Sequence, residues 1–138
     1  MKLFARIALA LGLIAAVATP LLAGSADPLF INLTSDDAHR ARMALTFGAK
    51  QQQLGHPLTV WLNDKGVNLG AKTKAVEFAE HQRALTEMMG KGAKVIVCPM
   101  CMKHYGVAEG DLIPGLQVGN PELTGAALFA DDAKTLTW

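Results

Sequence analysis

Short apolar runs alternate with longer stretches of helical periodicity along this chain, and this alternation restricts the fold more than any other feature. Helix-length connections between strands are almost always right-handed crossovers, and such crossovers build a parallel sheet with helices on both faces. We therefore predict a single α/β domain with a mostly parallel sheet of about five strands. The predicted strands cover residues 29–33, 58–62, 94–97, 116–118 and 134–138. The main predicted helices run from residue 38 towards a stop at Gly55, from about residue 73 to residue 89, and over residues 121–130.

The first 26 residues have the pattern of an export signal rather than of a folded element. Lys2 and Arg6 form a short basic segment, and residues 7–18 are uncharged and mostly apolar. Residues 24–26 then supply the small side chains that signal cleavage requires. We expect cleavage after Ala26 or, alternatively, after Ala23, and hence export to a bacterial periplasm.

A membrane anchor is the alternative for this segment. A helical span needs about 20 apolar residues, and Pro20 interrupts the apolar stretch here. We therefore expect no stable anchor after cleavage and a mature domain at residues 27–138. Without Lys2 and Arg6, the 13 basic and 12 acidic residues leave that domain close to neutral. No long basic run remains, so nucleic acid is not expected as a partner.

Both cysteines lie in one short segment, three positions apart. Cys98 ends a predicted strand, Pro99 suits the first position of a helix, and Cys101 falls in the first helical turn. A thiolate there faces unpaired backbone N–H groups and the positive end of the helix dipole, which favour the reactive form. We predict that Cys98 is the nucleophile and Cys101 its resolving partner. A disulfide between such close neighbours would add little stability, because the loop it closes is tiny.

Ligand sites in parallel α/β sheets form beyond the carboxyl ends of the strands. Three loops meet that description here, at residues 34–37, 63–66 and 98–104. The cysteines are therefore expected to share one edge of the sheet with four polar residues: Ser35, Asp36, Asn63 and Asp64.

Other side chains of the cysteine segment allow two roles. Lys103 and His104 could stabilise negative sulfur species electrostatically. Alternatively, Cys98, Cys101 and His104, together with Met102, could bind a soft metal such as Cu(I) or Zn. The chain has no second C-x-x-C to complete a four-ligand cage. Nor does it contain a G-x-G-x-x-G, a Walker-type loop or a G-x-S-x-G elbow, so we expect no cofactor and no serine-hydrolase chemistry.

Several of these segments together resemble one known family. Residues 37–49 and 55–67, the spacing from Cys98 to the Gly-Val pair at 106–107, and residues 111–115 are similar to the DsrE/DsrF-like family. The resemblance covers nearly all of the mature chain. It implies a three-layer, flavodoxin-like α/β domain that assembles as homotrimers or hexamers.

The same resemblance implies a chemical role for one cysteine. In members with known roles, a cysteine after the third strand accepts sulfur as a persulfide and passes it on, in sulfur oxidation or tRNA thiolation. Cys98 matches that cysteine by position, and Cys101 is an additional cysteine that several relatives also carry. Two features depart from the relatives: the expected export, and His104 and Tyr105 at positions where relatives often carry arginine.

We therefore expect an exported sulfurtransferase or sulfur carrier that holds a persulfide on Cys98 and uses Cys101 to resolve it. Its expected partners are sulfur donor and acceptor proteins or small sulfur compounds, and other copies of itself. Two alternatives remain open at this stage. One is the soft-metal module described above, and the other is a periplasmic dithiol–disulfide protein that handles no sulfane sulfur.

Overall fold

The computed structural model describes residues 27–138, so the predicted export signal at residues 1–26 lies outside the described residues. Five strands and four α-helices follow one another in that region. Within it, no helix has the length and apolar character needed to cross a bilayer. The elements are β1 (Leu29–Leu33), α1 (Ala38–Gln53), β2 (Leu58–Leu62), α2 (Ala75–Gly90), β3 (Lys94–Val97), α3 (Pro99–Tyr105), β4 (Gln117–Val118), α4 (Pro121–Leu128) and β5 (Lys134–Thr137).

All five strands are parallel and form one sheet in the order β4-β3-β2-β1-β5. The prediction of an α/β domain with a parallel sheet of this size is confirmed. From β1 to β4 the chain moves across the sheet in one direction, and it then returns to pair β5 with the far side of β1. Because the crossovers of parallel strands are right-handed, the reversal places the last helix on the opposite face from the earlier ones.

The main core lies on the face that α1 and α2 cover. Alternate residues of a strand point to opposite faces, so Leu29, Ile31 and Leu33 of β1 all point into this core. The residues that meet them from α1 and α2 lie at helical spacing and are Ala41, Ala44, Leu45, Phe78, Leu85 and Met88.

The second face of the sheet carries Phe30, Trp61 and Ile96. The rings of Phe30 and Trp61 pack with their centroids 6.1 Å apart. The segment that leads into α4 approaches Ile96 so closely that a Cβ on Gly119 would lie 3.0 Å from the Ile96 side chain. Helices therefore occupy both faces, as predicted, and α4 lies on the second one.

Local sequence explains how the helices begin. The carboxylate of Asp37 accepts a hydrogen bond from the N–H of Arg40 at 2.8 Å and caps α1. The side chain of Asn120 caps α4 by accepting from the N–H of Leu123 at 2.7 Å, with Pro121 in the first helical position. Both arrangements satisfy N–H groups that the first turn of a helix leaves without partners.

The segment after β2 differs from the expectation. A simple turn was predicted at residues 63–66, but the chain forms a 3-10 helix at Asp64–Gly70. Gly66 packs against β1 so tightly that a Cβ there would lie 2.2 Å from the carbonyl oxygen of Leu33. This close approach, which only glycine permits, keeps the segment wound against the end of the sheet. A second 3-10 turn, Lys72–Lys74, delays the start of α2 to Ala75.

Candidate functional site

The carboxyl ends of the strands line up along one edge of the sheet, and backbone hydrogen bonds continue past them. The N–H of Asn63 donates to the carbonyl of Leu33 at 3.1 Å, and the N–H of Cys98 donates to the carbonyl of Leu62 at 2.9 Å. The first residues after β1, β2 and β3 are therefore neighbours. The edge rule for parallel sheets places the cysteine segment beside the loop at residue 63, as the sequence predicted.

Cys98 is the residue that caps α3. Its backbone is extended (φ −71°, ψ 114°), Pro99 takes the first helical position, and its sulfur accepts a hydrogen bond from the N–H of Cys101 at 3.4 Å. The sulfur occupies the place that a serine or aspartate oxygen fills at other helix starts. An anionic sulfur at this position interacts favourably with the N–H group and with the helix dipole.

Cys101 lies one helical turn away and directs its thiol at the same atom. Both cysteines are unbridged, and the Sγ of Cys101 donates to the Sγ of Cys98 at 2.9 Å. Burial, above all, raises the pKa of the Cys101 thiol, and the hydrogen bond that it donates to Cys98 raises it further. The backbone N–H of Asp64, which hydrogen-bonds to Cys101, opposes the shift. The geometry thus favours a protonated Cys101 that stabilises negative charge on Cys98.

A depression of about 430 Å³ opens beside Cys101, and most of the residues that line it have polar side chains. It is lined by Asn63, Asp64, Met100, Cys101, His104 and Tyr105. The hydroxyl of Tyr105 donates to the carboxylate of Asp64, and this hydrogen bond is the main reason that the pKa of Tyr105 rises to about 12. The ring of His104 packs edge-on against that of Tyr105, with centroids 4.7 Å apart.

Cys98 faces different surroundings from Cys101. It lines a groove of about 480 Å³ between the start of α3 and α4, on the second face of the sheet. The side chains of Trp61, Met100, Leu128 and Phe129 form much of this groove. The two cysteines therefore contribute to two separate surfaces, a polar one and an apolar one, with Met100 between them.

The structure brings some predicted site residues together and leaves others apart. Asp64 and His104 line the depression with Cys101, and Asn63 lines it while its side-chain amide donates to Asn32. Lys103 is exposed and forms no ion pair with any of residues 27–138. Two positions along a helix correspond to a rotation of about 200°, so Lys103 points away from the side of α3 that carries Cys101.

Ser35 and Asp36 lie at the same edge of the sheet but are engaged locally. The hydroxyl of Ser35 accepts from the N–H of Asp37 at 3.1 Å. A carboxylate oxygen of Asp36 accepts from the side-chain amide of Asn68 at 2.9 Å. These two residues fix the loops around the site rather than line the depression.

The soft-metal alternative loses one of its ligands. Met102 is only 5% exposed and belongs to the main core, so its thioether faces the sheet instead of the cysteines. Among residues 27–138, no three side chains of the His, Cys, Asp and Glu types come together in a metal-binding cluster. The soft-metal alternative therefore retains Cys98, Cys101 and His104 as its candidate ligands.

Sequence reasoning overlooked Tyr105 and Met100 as parts of the site. Tyr105 follows Cys101 by four positions, so both lie on one side of α3, and this spacing was the signal that could have identified it. Met100 is 81% exposed and lines both the depression and the groove. Its place in the groove depends on α4 lying close to the start of α3. No local sequence pattern predicts that arrangement.

The chain is a small α/β protein with a close thiol pair at the carboxyl edge of a five-stranded parallel sheet. The sequence pattern of the DsrE/DsrF-like family matches residues 28–134, and the chain belongs to that family. The resemblance inferred from the motifs is therefore confirmed at the level of the family. No curated protein matches the chain in sequence.

Solved structures share the fold. A protein of unknown function from Methanobacterium thermoautotrophicum, MTH1491, superposes with a TM-score of 0.68 at 15% identity, over 81% of this chain and 99% of that one. The ychN protein of E. coli superposes with a TM-score of 0.62 at 18% identity, over 82% and 99% of the two chains. BT1422 from Bacteroides thetaiotaomicron, a conserved protein of unknown function, gives 0.63 at 20% identity, over 81% and 95%. These likenesses support the flavodoxin-like α/β fold.

Proposed function

We propose that this protein carries sulfane sulfur as a persulfide on Cys98, with Cys101 as the resolving thiol. The observation that carries the proposal is the 2.9 Å hydrogen bond from the Cys101 thiol to the Cys98 sulfur, at the start of α3. It supports unequal roles for the two cysteines, with Cys98 as the hydrogen-bond acceptor suited to carry negative charge and Cys101 as the protonated donor. Membership of the DsrE/DsrF-like family, in which sulfur relay occurs, supports the same assignment.

Loading requires a nucleophile and a donor with a sulfur–sulfur bond. The Cys98 thiolate attacks the outer sulfur of a hydropersulfide, R–S–S–H. A bond forms between that sulfur and Cys98, the donor's S–S bond breaks, and R–S⁻ leaves with the electron pair. The product is Cys98–S–S–H, and the sulfane sulfur moves without net oxidation or reduction.

The loaded sulfur has two routes onward. An acceptor thiolate attacks the outer sulfur, takes it as a new persulfide and regenerates the Cys98 thiolate. Alternatively, the Cys101 thiolate attacks the inner sulfur of the persulfide, and HS⁻ leaves as a Cys98–Cys101 disulfide forms. In this second route the two thiols lose two electrons and the sulfane sulfur gains them. The raised pKa of Cys101 slows this loss and so favours transfer to an acceptor.

A dithiol–disulfide protein is the second candidate, because the two sulfur atoms are already 2.9 Å apart. Oxidation of the pair then needs little movement of the backbone. This candidate predicts a protein that exchanges disulfides but retains no extra sulfur. The two candidates therefore differ in one measurable quantity, the mass of the protein after exposure to a sulfane-sulfur donor.

We further propose that the chain acts after export, with residues 1–26 as its cleaved signal and the periplasm as its compartment. The partners are then donors and acceptors of sulfane sulfur met in that compartment, either proteins or small sulfur compounds. Assembly as a homotrimer or a homohexamer belongs to the same proposal. N-terminal sequencing of the protein recovered from a periplasmic fraction and its mass in solution test these two points.

Mass spectrometry of the intact protein tests the sulfur-carrier function. Reduced protein incubated with a hydropersulfide or a polysulfide should gain multiples of about 32 Da, the mass of a sulfur atom in a persulfide, and reductant should remove them. The variant Cys98→Ser should gain nothing, although serine preserves the helix cap and hence the fold. The variant Cys101→Ser should load and should keep its sulfur longer, because the resolving thiol is missing.

Two results would overturn the assignment. One is added sulfur that persists in Cys98→Ser. The other is a wild-type protein that forms the Cys98–Cys101 disulfide with every donor and never gains mass, which would favour the dithiol–disulfide candidate.

A further inference from the structure

The groove beside Cys98 has a chemical character that restricts what can react there. Of the residues that the structure describes, none that lines the groove is charged. Its walls include Trp61, Met100, Leu128 and Phe129. An anion entering such a groove would lose water and meet no positively charged group of residues 27–138 there, which is costly, whereas an apolar group gains by leaving water.

Among the described residues, the polar groups of the groove are few, and none of them is charged. The side-chain oxygen of Asn120 accepts from the N–H of Leu123 at 2.7 Å as the cap of α4. The other polar side-chain groups on the wall are the amide nitrogen of Asn120, the hydroxyl of Thr124 and the indole N–H of Trp61. The groove therefore offers little hydrogen bonding to a charged or strongly polar ligand.

Gly125 is an independent observation that favours an open groove beside Cys98. It lies in the interior of α4, where glycine is less favourable than alanine. Apart from the helix's own backbone, a Cβ on Gly125 would meet a single neighbour within 4 Å, the Phe129 ring at 4.0 Å. Packing therefore does not require glycine here. What its missing side chain does provide is room in the groove, which Gly125 lines.

The rim of the groove carries two side chains that the fold leaves in water. Met100, beside Cys98, is 81% exposed, and Phe129, at the end of α4, is 83% exposed. Neither exposure helps the isolated fold. Both side chains would be buried against an apolar group that entered between α3 and α4 and reached Cys98.

We propose that the groove binds the organic part of a low-molecular-weight hydropersulfide whose organic group is uncharged and apolar, and presents its outer sulfur to Cys98. The inference rests on the proposed function, because it names the class of donor that loads the same cysteine. The reaction is the loading step given above: Cys98 takes the outer sulfur, the donor's S–S bond breaks, and the apolar thiolate R–S⁻ leaves and takes a proton from water.

Loading rates with matched donors test the proposal. Benzyl hydropersulfide has an uncharged, apolar organic group, whereas glutathione hydropersulfide has a charged one. The rate of mass gain on Cys98 is measured with each and divided by the rate of the same donor with N-acetylcysteine, which corrects for intrinsic reactivity. We expect the corrected rate with the benzyl compound to be about tenfold higher or more, as for groups that fill an apolar pocket.

Variants connect this preference to the groove. Gly125→Leu places a side chain in the open space, so it should remove the preference for the benzyl compound while inorganic disulfide (HS–S⁻), which is small, still loads Cys98. The matched control is Ala126→Leu, which adds the same side chain at the next position of α4, exposed and outside the groove. Met100→Gln should weaken the preference, and Met43→Gln, an exposed methionine on α1, should not.

Each remaining outcome has a definite meaning. If no donor loads Cys98, the proposed function fails and the groove inference fails with it. If both hydropersulfides load at equal corrected rates and Gly125→Leu changes neither, the groove inference is wrong while the sulfur-carrier function stands. If Phe129→Ser lowers the molecular mass in solution, a second copy of the chain covers the groove, and the small-molecule proposal is overturned.

Discussion

Two sulfur atoms 2.9 Å apart differ in what surrounds them, and that difference supports the separate roles proposed for Cys98 and Cys101. The sulfur of Cys98 accepts from a backbone N–H and from a thiol, both at the start of α3. Cys101 is the donor of that second bond, and its burial disfavours the charged form. At the scale of single residues, this geometry supports Cys98 as the proposed nucleophile and Cys101 as the proposed resolving thiol.

The pH dependence of sulfide release follows from the raised pKa of Cys101. Release from the loaded protein requires the Cys101 thiolate, and a raised pKa lowers the fraction of thiolate at any given pH. We expect burial, the largest cause of the shift, to persist after Cys98 is loaded. The rate of sulfide release should therefore rise about tenfold per pH unit and reach its midpoint above about pH 8.5, the value for a free cysteine. A midpoint at or below that of free cysteine would show that Cys101 is not held protonated.

The hydrogen bond between Tyr105 and Asp64 can be measured without interference, because Tyr105 is the single tyrosine of the chain. Its tyrosinate absorbance should titrate near pH 12, the direction expected when a hydroxyl donates to a carboxylate. Since an unfolded tyrosine titrates near pH 10, the stability from this bond is present below about pH 10 and is lost as the pH rises through about 12.

The variant Asp64→Asn identifies the cause of this shift. Asp64 has a positive φ of 46°, which asparagine tolerates, so the backbone should be preserved. The Tyr105 pKa should fall towards its ordinary value in the variant. An unchanged titration in Asp64→Asn, or a wild-type midpoint near 10, would contradict the contact.

At the scale of elements, the 3-10 helix Asp64–Gly70 holds the polar side of the site in place. Its contact with the sheet depends on Gly66, whose N–H donates to the carbonyls of Thr34 at 3.3 Å and of Asn63 at 2.9 Å. A side chain at Gly66 cannot coexist with this arrangement, because its Cβ would lie 2.2 Å from the Leu33 carbonyl oxygen.

Gly66→Ala should therefore destabilise the protein by about 2 kcal/mol or more, in the range of substitutions that force a backbone shift. The control is Gly110→Ala, in the turn Glu109–Asp111, where a Cβ would have no neighbour within 4 Å. That change should stay within about 0.5 kcal/mol of the wild type. Urea unfolding midpoints measure both. Equal stabilities of the two variants would mean that the segment is not anchored through Gly66.

Local signals in the sequence predicted most of the elements. Apolar runs marked β1, β2 and β3 at their observed bounds. The 3-10 helix after β2 was missed, because its cause is a contact between Gly66 and a strand more than 30 residues earlier in the chain. No pattern within the segment itself carries that information.

The sequence likewise predicted one part of the site and missed another. The rule that sites lie at the carboxyl edge of a parallel sheet predicted that Asn63 and Asp64 lie near Cys101. This rule requires only that the strands are identified in the sequence and that they are parallel. The apolar groove was not predicted. It depends on α4 lying on the second face next to the start of α3, and therefore on the strand order, which periodicity does not reveal.

At the scale of the whole molecule, the reversal of the chain after β4 gives the site its two sides. Three crossovers proceed in one direction, and the fourth returns past them to place β5 beside β1. As a result α4 lies on the second face, and the start of α3 has a polar depression on one side and an apolar groove on the other. The cysteine pair lies between these two surfaces, one thiol contributing to each.

The location of the sulfane sulfur in loaded wild-type protein tests most directly whether Cys98 carries the persulfide. Trypsin cleaves after Lys94 and Lys103 and releases residues 95–103, which contain both cysteines. After loading, alkylation and digestion without reductant, fragmentation of this peptide should place the additional mass of about 32 Da on Cys98, with Cys101 alkylated directly on its own sulfur. Additional sulfur on Cys101, or on neither cysteine, would contradict the account of this protein as a sulfur carrier that works through Cys98.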